Sequence, residues 1–117
     1  MATKRILIVD DNPNMSALLS DMLEVFDYQS ERASDGAEAL AKLDKNKYAM
    51  IITDMRMPNM SGLELLEAVK ERYPKLPVVL VSGYSIATIE SHHVKADGIL
   101  GKPLMMADVE RLLNSLL

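Results

Sequence analysis

Short apolar runs alternate with longer stretches of helical period along this chain. Arg5-Ile-Leu-Ile-Val9 reads as a strand. Asn12 before Pro13 marks a helix start, and Met15, Leu18, Leu19, Met22, Leu23 and Phe26 then recur at the spacing of one helix face. Tyr28 to Arg32 is a weaker, more polar strand. Asp35, with Glu38 placed to close a capping box, opens a helix through Leu43, and Ala49-Met-Ile-Ile-Thr53 is the third strand. Ser61 and Glu64 repeat the capping-box signature ahead of a helix bearing Leu63, Leu66, Val69 and Tyr73, which Pro74 stops. Pro77-Val-Val-Leu-Val81 is the fourth strand. A poorly defined helical stretch runs from Ile86 to His92, then a short strand from Gly98 to Gly101, then a last helix carrying Val109, Leu112, Leu113 and Leu116.

Five βα units in series predict an α/β fold: a doubly wound five-stranded parallel sheet with right-handed crossovers and five helices on its two faces. Strands one, three and four are continuous apolar runs and belong in the middle, where both faces are covered. The mixed second strand and the short fifth are the natural edges. In such a sheet a ligand binds at the carboxyl ends of the strands.

Composition narrows the classes. With 117 residues, of which 49% are apolar, the chain is expected to be one domain spanning 1–117 with a core of its own. The absence of cysteine excludes a disulfide framework or a thiolate zinc site and is compatible with a reducing cytoplasm. Apolar runs such as Val78 to Val81 are far too short to span a bilayer. The apolar segment Ile6 to Val9 ends in two aspartates, which a secretory leader would not tolerate, so the chain reads as mature, soluble and cytoplasmic. A net charge of −4, one phenylalanine and no tryptophan argue against a nucleic-acid surface built from basic patches and stacking platforms.

The residues that end the strong strands are Asp10 and Asp11, then Asp54, then Ser82, then Lys102. Each alone has a plain explanation as a cap, a turn residue, a loop hydroxyl or a solvated charge. Together, in this fold, they converge on one crevice. Three carboxylates there repel one another unless a cation sits among them. With no cysteine or nearby histidine on offer, a hard oxygen-seeking ion such as Mg²⁺ suits them better than a transition metal. A metal beside a lysine describes an anion site, poised to neutralise phosphoryl oxygens while a carboxylate attacks.

These motifs resemble the receiver domains of response regulators, which histidine kinases phosphorylate on an aspartate. Ile6-Leu-Ile-Val-Asp-Asp11 is similar to the family's acidic pair after its first strand, and Asp54-Met-Arg-Met-Pro-Asn-Met-Ser-Gly62 to its phosphoacceptor loop. Val81-Ser-Gly83 and Gly101-Lys-Pro103 resemble its two remaining motifs, and the likeness covers nearly the whole chain. It implies a flavodoxin-like strand order 2-1-3-4-5, with Asp54 as the nucleophile that becomes an aspartyl phosphate. Asp11, Asp54 and the backbone carbonyl of Arg56 would ligate Mg²⁺, with Asp10 acting through water. Lys102 would pair with the phosphoryl group, Ser82 would swing to hydrogen-bond it, and Pro103 would follow a cis peptide bond. Phosphorylation would shift the surface around the fourth helix, fifth strand and fifth helix. The implied partners are a histidine kinase or phosphotransfer protein and an unidentified protein target, with no direct nucleic acid and no membrane insertion. The chain would catalyse its own phosphotransfer without being a turnover enzyme.

Two departures from the pattern matter. Ile99 stands where family members carry a switch tyrosine or phenylalanine, with Tyr84 a candidate substitute, and the segment from Ser82 to Lys102 is a residue or two short. Arg56 and Tyr84 flank the attack position, where the family tunes hydrolysis of the phosphoryl group. Met55, Met57, Met60, Met105 and Met106 cluster near the site, where they suit either core filling or a partner surface. His92 and His93 read as solvated. The rival reading is a receiver-like binding module that works without phosphorylation; a third is a Mg²⁺-dependent phosphohydrolase, against which Arg56 stands where such enzymes carry a second acid. The end at Leu117 fits a stand-alone receiver, a relay intermediate or a piece of a longer regulator.

Overall fold

A computed structural model describes residues 4–57, 59–83 and 96–117. The elements in chain order are β1 (Arg5–Val9), α1 (Pro13–Val25), β2 (Gln29–Ala33), α2 (Gly36–Lys45), β3 (Met50–Asp54), α3 (Gly62–Arg72), β4 (Val78–Ser82), β5 (Gly98–Gly101) and α4 (Met106–Leu116). The strands form one parallel sheet in the order β2-β1-β3-β4-β5, with the apolar strands central as expected. Four helices are present among the described residues. The helical stretch expected from Ile86 to His92 lies outside them, as do Tyr84 and His93.

Alternation along the central strands divides the core in two. Ile6, Ile8, Met50, Ile52, Val79, Val81 and Leu100 face α1 and α4, where Leu19, Met22, Leu23, Val109 and Leu113 meet them. Leu7, Val9, Ile51, Val78 and Leu80 face α2 and α3, against Ala39, Leu43, Leu65, Leu66 and Val69. Each fully buried aliphatic side chain contributes about 1.5–3 kcal/mol of transfer free energy, so the pattern that reads as strand in sequence also fixes which residue ends each strand on which side.

Three strands begin and end one residue later than the apolar pattern suggests. The N–H of Tyr28 is spent on Leu23 O at the end of α1, which delays β2 to Gln29. At the other end of β3 and β4, Asp54 pairs with Val81 and Ser82 with Gly101, because ladder bonding is a backbone property that a polar side chain does not interrupt. Caps fix the helix starts. The Oδ1 of Asn12 accepts the N–H groups of Asn14 and Met15, and Ser61 and Glu64 form the full capping box. At α2, Asp35 accepts the N–H of Glu38, but the Glu38 carboxylate reaches back to Ser34 N–H, one residue earlier than the box requires.

Midway along β2, Glu31 gathers Arg5, Tyr48 and Lys42. The Tyr48 hydroxyl, with Arg5 and Lys42, holds Glu31 below the usual carboxylate range, while burial and Glu31 push the Tyr48 phenol up to about 12. This network ties the polar edge strand to β1 and to the α2–β3 turn. The exit from α1 is less favourable. Asp27 adopts φ 66° while Tyr28 N–H bonds Leu23 O and Asp27 N–H bonds Glu24 O, the Schellman arrangement that favours glycine. Asp27→Gly removes a left-handed penalty of about 1 kcal/mol, partly offset by the greater freedom of glycine in the unfolded chain. The variant is expected to be more stable by about 0.5 kcal/mol, read as a higher urea midpoint at unchanged slope. A midpoint at or below that of wild type would contradict the assignment.

Candidate functional site at the strand ends

The β1–α1 turn holds two aspartates in different settings. Asp10 is buried, and its Oδ1 accepts the N–H of Asn12 at 2.9 Å; Asp11 is exposed. Asp54, the last residue of β3, is 8% exposed, and its Oδ1 accepts Met55 N–H at 3.0 Å and the Lys102 ammonium at 3.2 Å. Lys102 follows β5 directly, and its bond to Pro103 is cis, as the resemblance implied. Ser82 ends β4 and is buried. Asp54, Met55, Arg56, Ser82, Gly83 and Lys102 line one cleft of ≈ 330 Å³. The structure thus brings together Asp10, Asp11, Asp54, Arg56, Ser82 and Lys102, while Tyr84 lies outside the described residues. Lys102, although exposed, is an ion-pair partner of Asp54.

One oxygen from each of Asp10, Asp11 and Asp54 can be chosen so that all three lie within 4.8 Å of one another. Burial raises the Asp10 carboxyl above its ordinary value, and the Asp54 and Asp11 charges push it the same way; the Asn12 N–H and Lys102 work against them. An all-oxygen cluster of this kind, with the Lys102 ammonium nearby, fits a hard divalent cation such as Mg²⁺.

Several contributors stand outside the candidate site residues, although Gly62 closes the phosphoacceptor-loop motif. The N–H of Gly62 donates to Met55 O at 2.9 Å, and a Cβ at this position would run into the Asp54 carbonyl oxygen and the Met55 Cα. A glycine is required there for the loop after β3 to close against the start of α3, a close approach between backbones. The buried Thr53 hydroxyl donates to Asp54 O at 3.0 Å. Asn59 takes φ 71° in the same loop. Met55, Met57 and Met60 pack half-buried against the α2/α3 side of the core, which favours the core-filling reading for these three, whereas Met105 and Met106 are exposed. Ile99 packs against the same cluster, in the place of the expected aromatic.

Comparison with known proteins agrees with this geometry. The model of the family described as "Response regulator receiver domain" matches residues 6–114. The chain is 34% identical over 111 residues to the sensor histidine kinase RcsC of Escherichia coli K12, covering 93% of this chain but 12% of that protein. Among solved structures, the chemotaxis protein CheY4 of Vibrio cholerae superposes with a TM-score of 0.89 at 32% identity, covering 99% of this chain and 100% of that one. The response regulator TrrA of Thermotoga maritima, solved in complex with Mg²⁺-BeF, gives a TM-score of 0.88 at 32% identity, covering 98% and 100%.

The raised Asp10 carboxyl makes a signed prediction. In the metal-free protein its ionised form costs stability at neutral pH. As pH falls through the raised folded value toward 3.8, the folded chain takes up the proton first, and that cost is recovered. Asp10→Asn removes the charge while keeping an acceptor for Asn12. It is expected to be more stable than wild type at neutral pH in chelator, with the gap closing on acidification. A gap that is absent, or that widens as pH falls, would refute this account of Asp10.

Proposed function

We propose that in this chain, which belongs to the response regulator receiver domain family, Asp54 is the residue that accepts the phosphoryl group. The chain is a phosphoacceptor receiver of two-component signalling. The observation that carries the residue assignment is the Asp54 carboxylate itself. It is buried and held at Oδ1 by Lys102 and the Met55 N–H, with the other two acids close by. Fixing one oxygen in this way leaves Oδ2 to form the new bond to phosphorus as the bond to the donor's leaving group breaks.

Asp10, Asp11, Asp54 and the backbone carbonyl of Arg56 would hold Mg²⁺, which when bound supplies charge neutralisation to the phosphoryl oxygens. The Lys102 ammonium transfers its pairing from the carboxylate to a phosphoryl oxygen. Ser82, on the floor of the same cleft, donates its hydroxyl to another. A phosphoryl group adds about two negative charges at the cleft. That draws Ser82 and the chain beyond it inward and alters the surface around β5, α4 and the segment that joins β4 to β5. With Ile99 in the aromatic position, that change proceeds without rotation of a ring at this site. Arg56, exposed at the rim, governs water's access to the aspartyl phosphate.

Residues 1–117 are read as one receiver unit that catalyses its own phosphotransfer and does not turn over external substrates. Its donor is a histidine kinase or a phosphotransfer protein, and its output is a protein contact in the cytoplasm. The sensor kinase relatives support the choice of donor, although the chain spans only 12% of RcsC. Among the described residues no helix is long and apolar enough to cross a membrane. The complete acid set and the Lys102 pair weigh against a module that works without phosphorylation.

Incubation with Mg²⁺ and acetyl phosphate is expected to add one phosphoryl group by intact mass. The adduct should be absent in Asp54→Asn and in chelator. A wild-type chain that neither forms the adduct nor binds beryllofluoride would overturn the reading, as would an adduct that persists in Asp54→Asn.

A further inference from the structure

Lys102 must reach Asp54 from the end of a strand with little packing of its own. β5 is four residues long, begins and ends in glycine, and buries only Leu100 fully. Side chains of this kind specify strand register weakly. A slip of one residue would move Lys102 about 3.3 Å along the sheet and turn it to the other face.

The base of β5 is held by Asp97. Its N–H donates to Val78 O at 2.9 Å and its Oδ2 accepts Val78 N–H at 2.8 Å, a reciprocal pair with the first residue of β4. The same carboxylate oxygen accepts the Lys70 ammonium at 2.7 Å, and Lys70 also donates to Leu76 O at 2.8 Å. Lys70 lies near the end of α3, whose first residue, Gly62, is pressed against the Asp54 and Met55 backbone. At the far end of β5, Lys102 N–H donates to Ser82 O at 3.2 Å and the Lys102 ammonium meets Asp54. The contacts close a circuit that runs from Asp54 to Gly62, along α3 to Lys70, across to Asp97, and along β5 to Lys102 and Asp54.

We propose that Asp97, clamped by Val78 and Lys70, is a positioning residue that sets where Lys102 stands relative to Asp54. It touches no reacting atom and acts only through the register of β5 and the placement of α3. The inference rests on the reading of Asp54 as phosphoacceptor.

The test is a double-mutant cycle on the maximal rate of Asp54 phosphorylation by acetyl phosphate at saturating Mg²⁺. Asp97→Ala is expected to slow the reaction about tenfold, the scale of a small misplacement of a charged group. Asp97→Asn, which keeps an acceptor for Val78 N–H, should recover most of the rate. In the Lys102→Ala background Asp97→Ala should cost nothing more, because the two act as one unit. A wild-type rate in Asp97→Ala, or losses that multiply in the double variant, would overturn the proposal. Leu43→Ala, a core truncation in α2 away from β5, should lose stability and keep its rate; equal slowing there would reduce Asp97 to a stability effect and overturn it too. Should Asp97→Ala fail to fold, Lys70→Met leaves the Val78 pair in place and enters the same cycle under the same criteria. Absence of any adduct in wild type defeats the phosphoacceptor reading, and this inference with it.

Discussion

Three carboxylates brought within a few ångströms of one another by the ends of two adjacent strands are the constraint on which the rest of this structure turns. Their mutual repulsion, and the burial of Asp10, work against the fold. Among the described residues, Lys102 and the Met55 N–H on Asp54 and the Asn12 N–H on Asp10 offset part of that cost. A cluster of carboxylate oxygens this close together could hold a cation. The charge crowding that costs stability is the same feature that suits the cluster to a hard divalent ion.

Holding such a site demands rigidity from elements that are not themselves charged. β1 and β3 are buried on both faces, so Asp10 and Asp54 inherit the register of the most tightly packed part of the sheet. Gly62 lets the loop after β3 fold back until backbone meets backbone, joining α3 to the acceptor residue. β5 has no comparable packing, and its placement falls to hydrogen bonds at both of its ends. The site is thus built from two rigid supports and one that must be fastened.

The fold was legible because period and length agreed at each step. Ile6 to Val9, Met50 to Thr53 and Val78 to Val81 could only be buried strands, and their polar terminators named Asp10, Asp11, Asp54 and Ser82. The apolar pattern differs from the strand ends by a residue where backbone bonding outruns side-chain character, as at Asp54 and Ser82, or where a helix cap consumes the residue, as at Tyr28. Less visible was anything that depends on approach between elements distant in sequence. Nothing local to Gly62 reports that a Cβ there would strike Asp54, and nothing near Asp97 announces Lys70, 27 residues earlier. Such contacts exist only once the sheet has formed.

The most direct test of the central claim is a Mg²⁺ titration of folding stability at neutral pH and constant ionic strength, followed as the urea midpoint. If the clustered carboxylates are held in readiness for a cation, the wild-type midpoint rises with Mg²⁺ and levels off at unchanged slope, as binding to the folded state alone requires, while Asp11→Ala stays flat. A wild-type midpoint indifferent to Mg²⁺, or an Asp11→Ala response equal to it, would contradict the account.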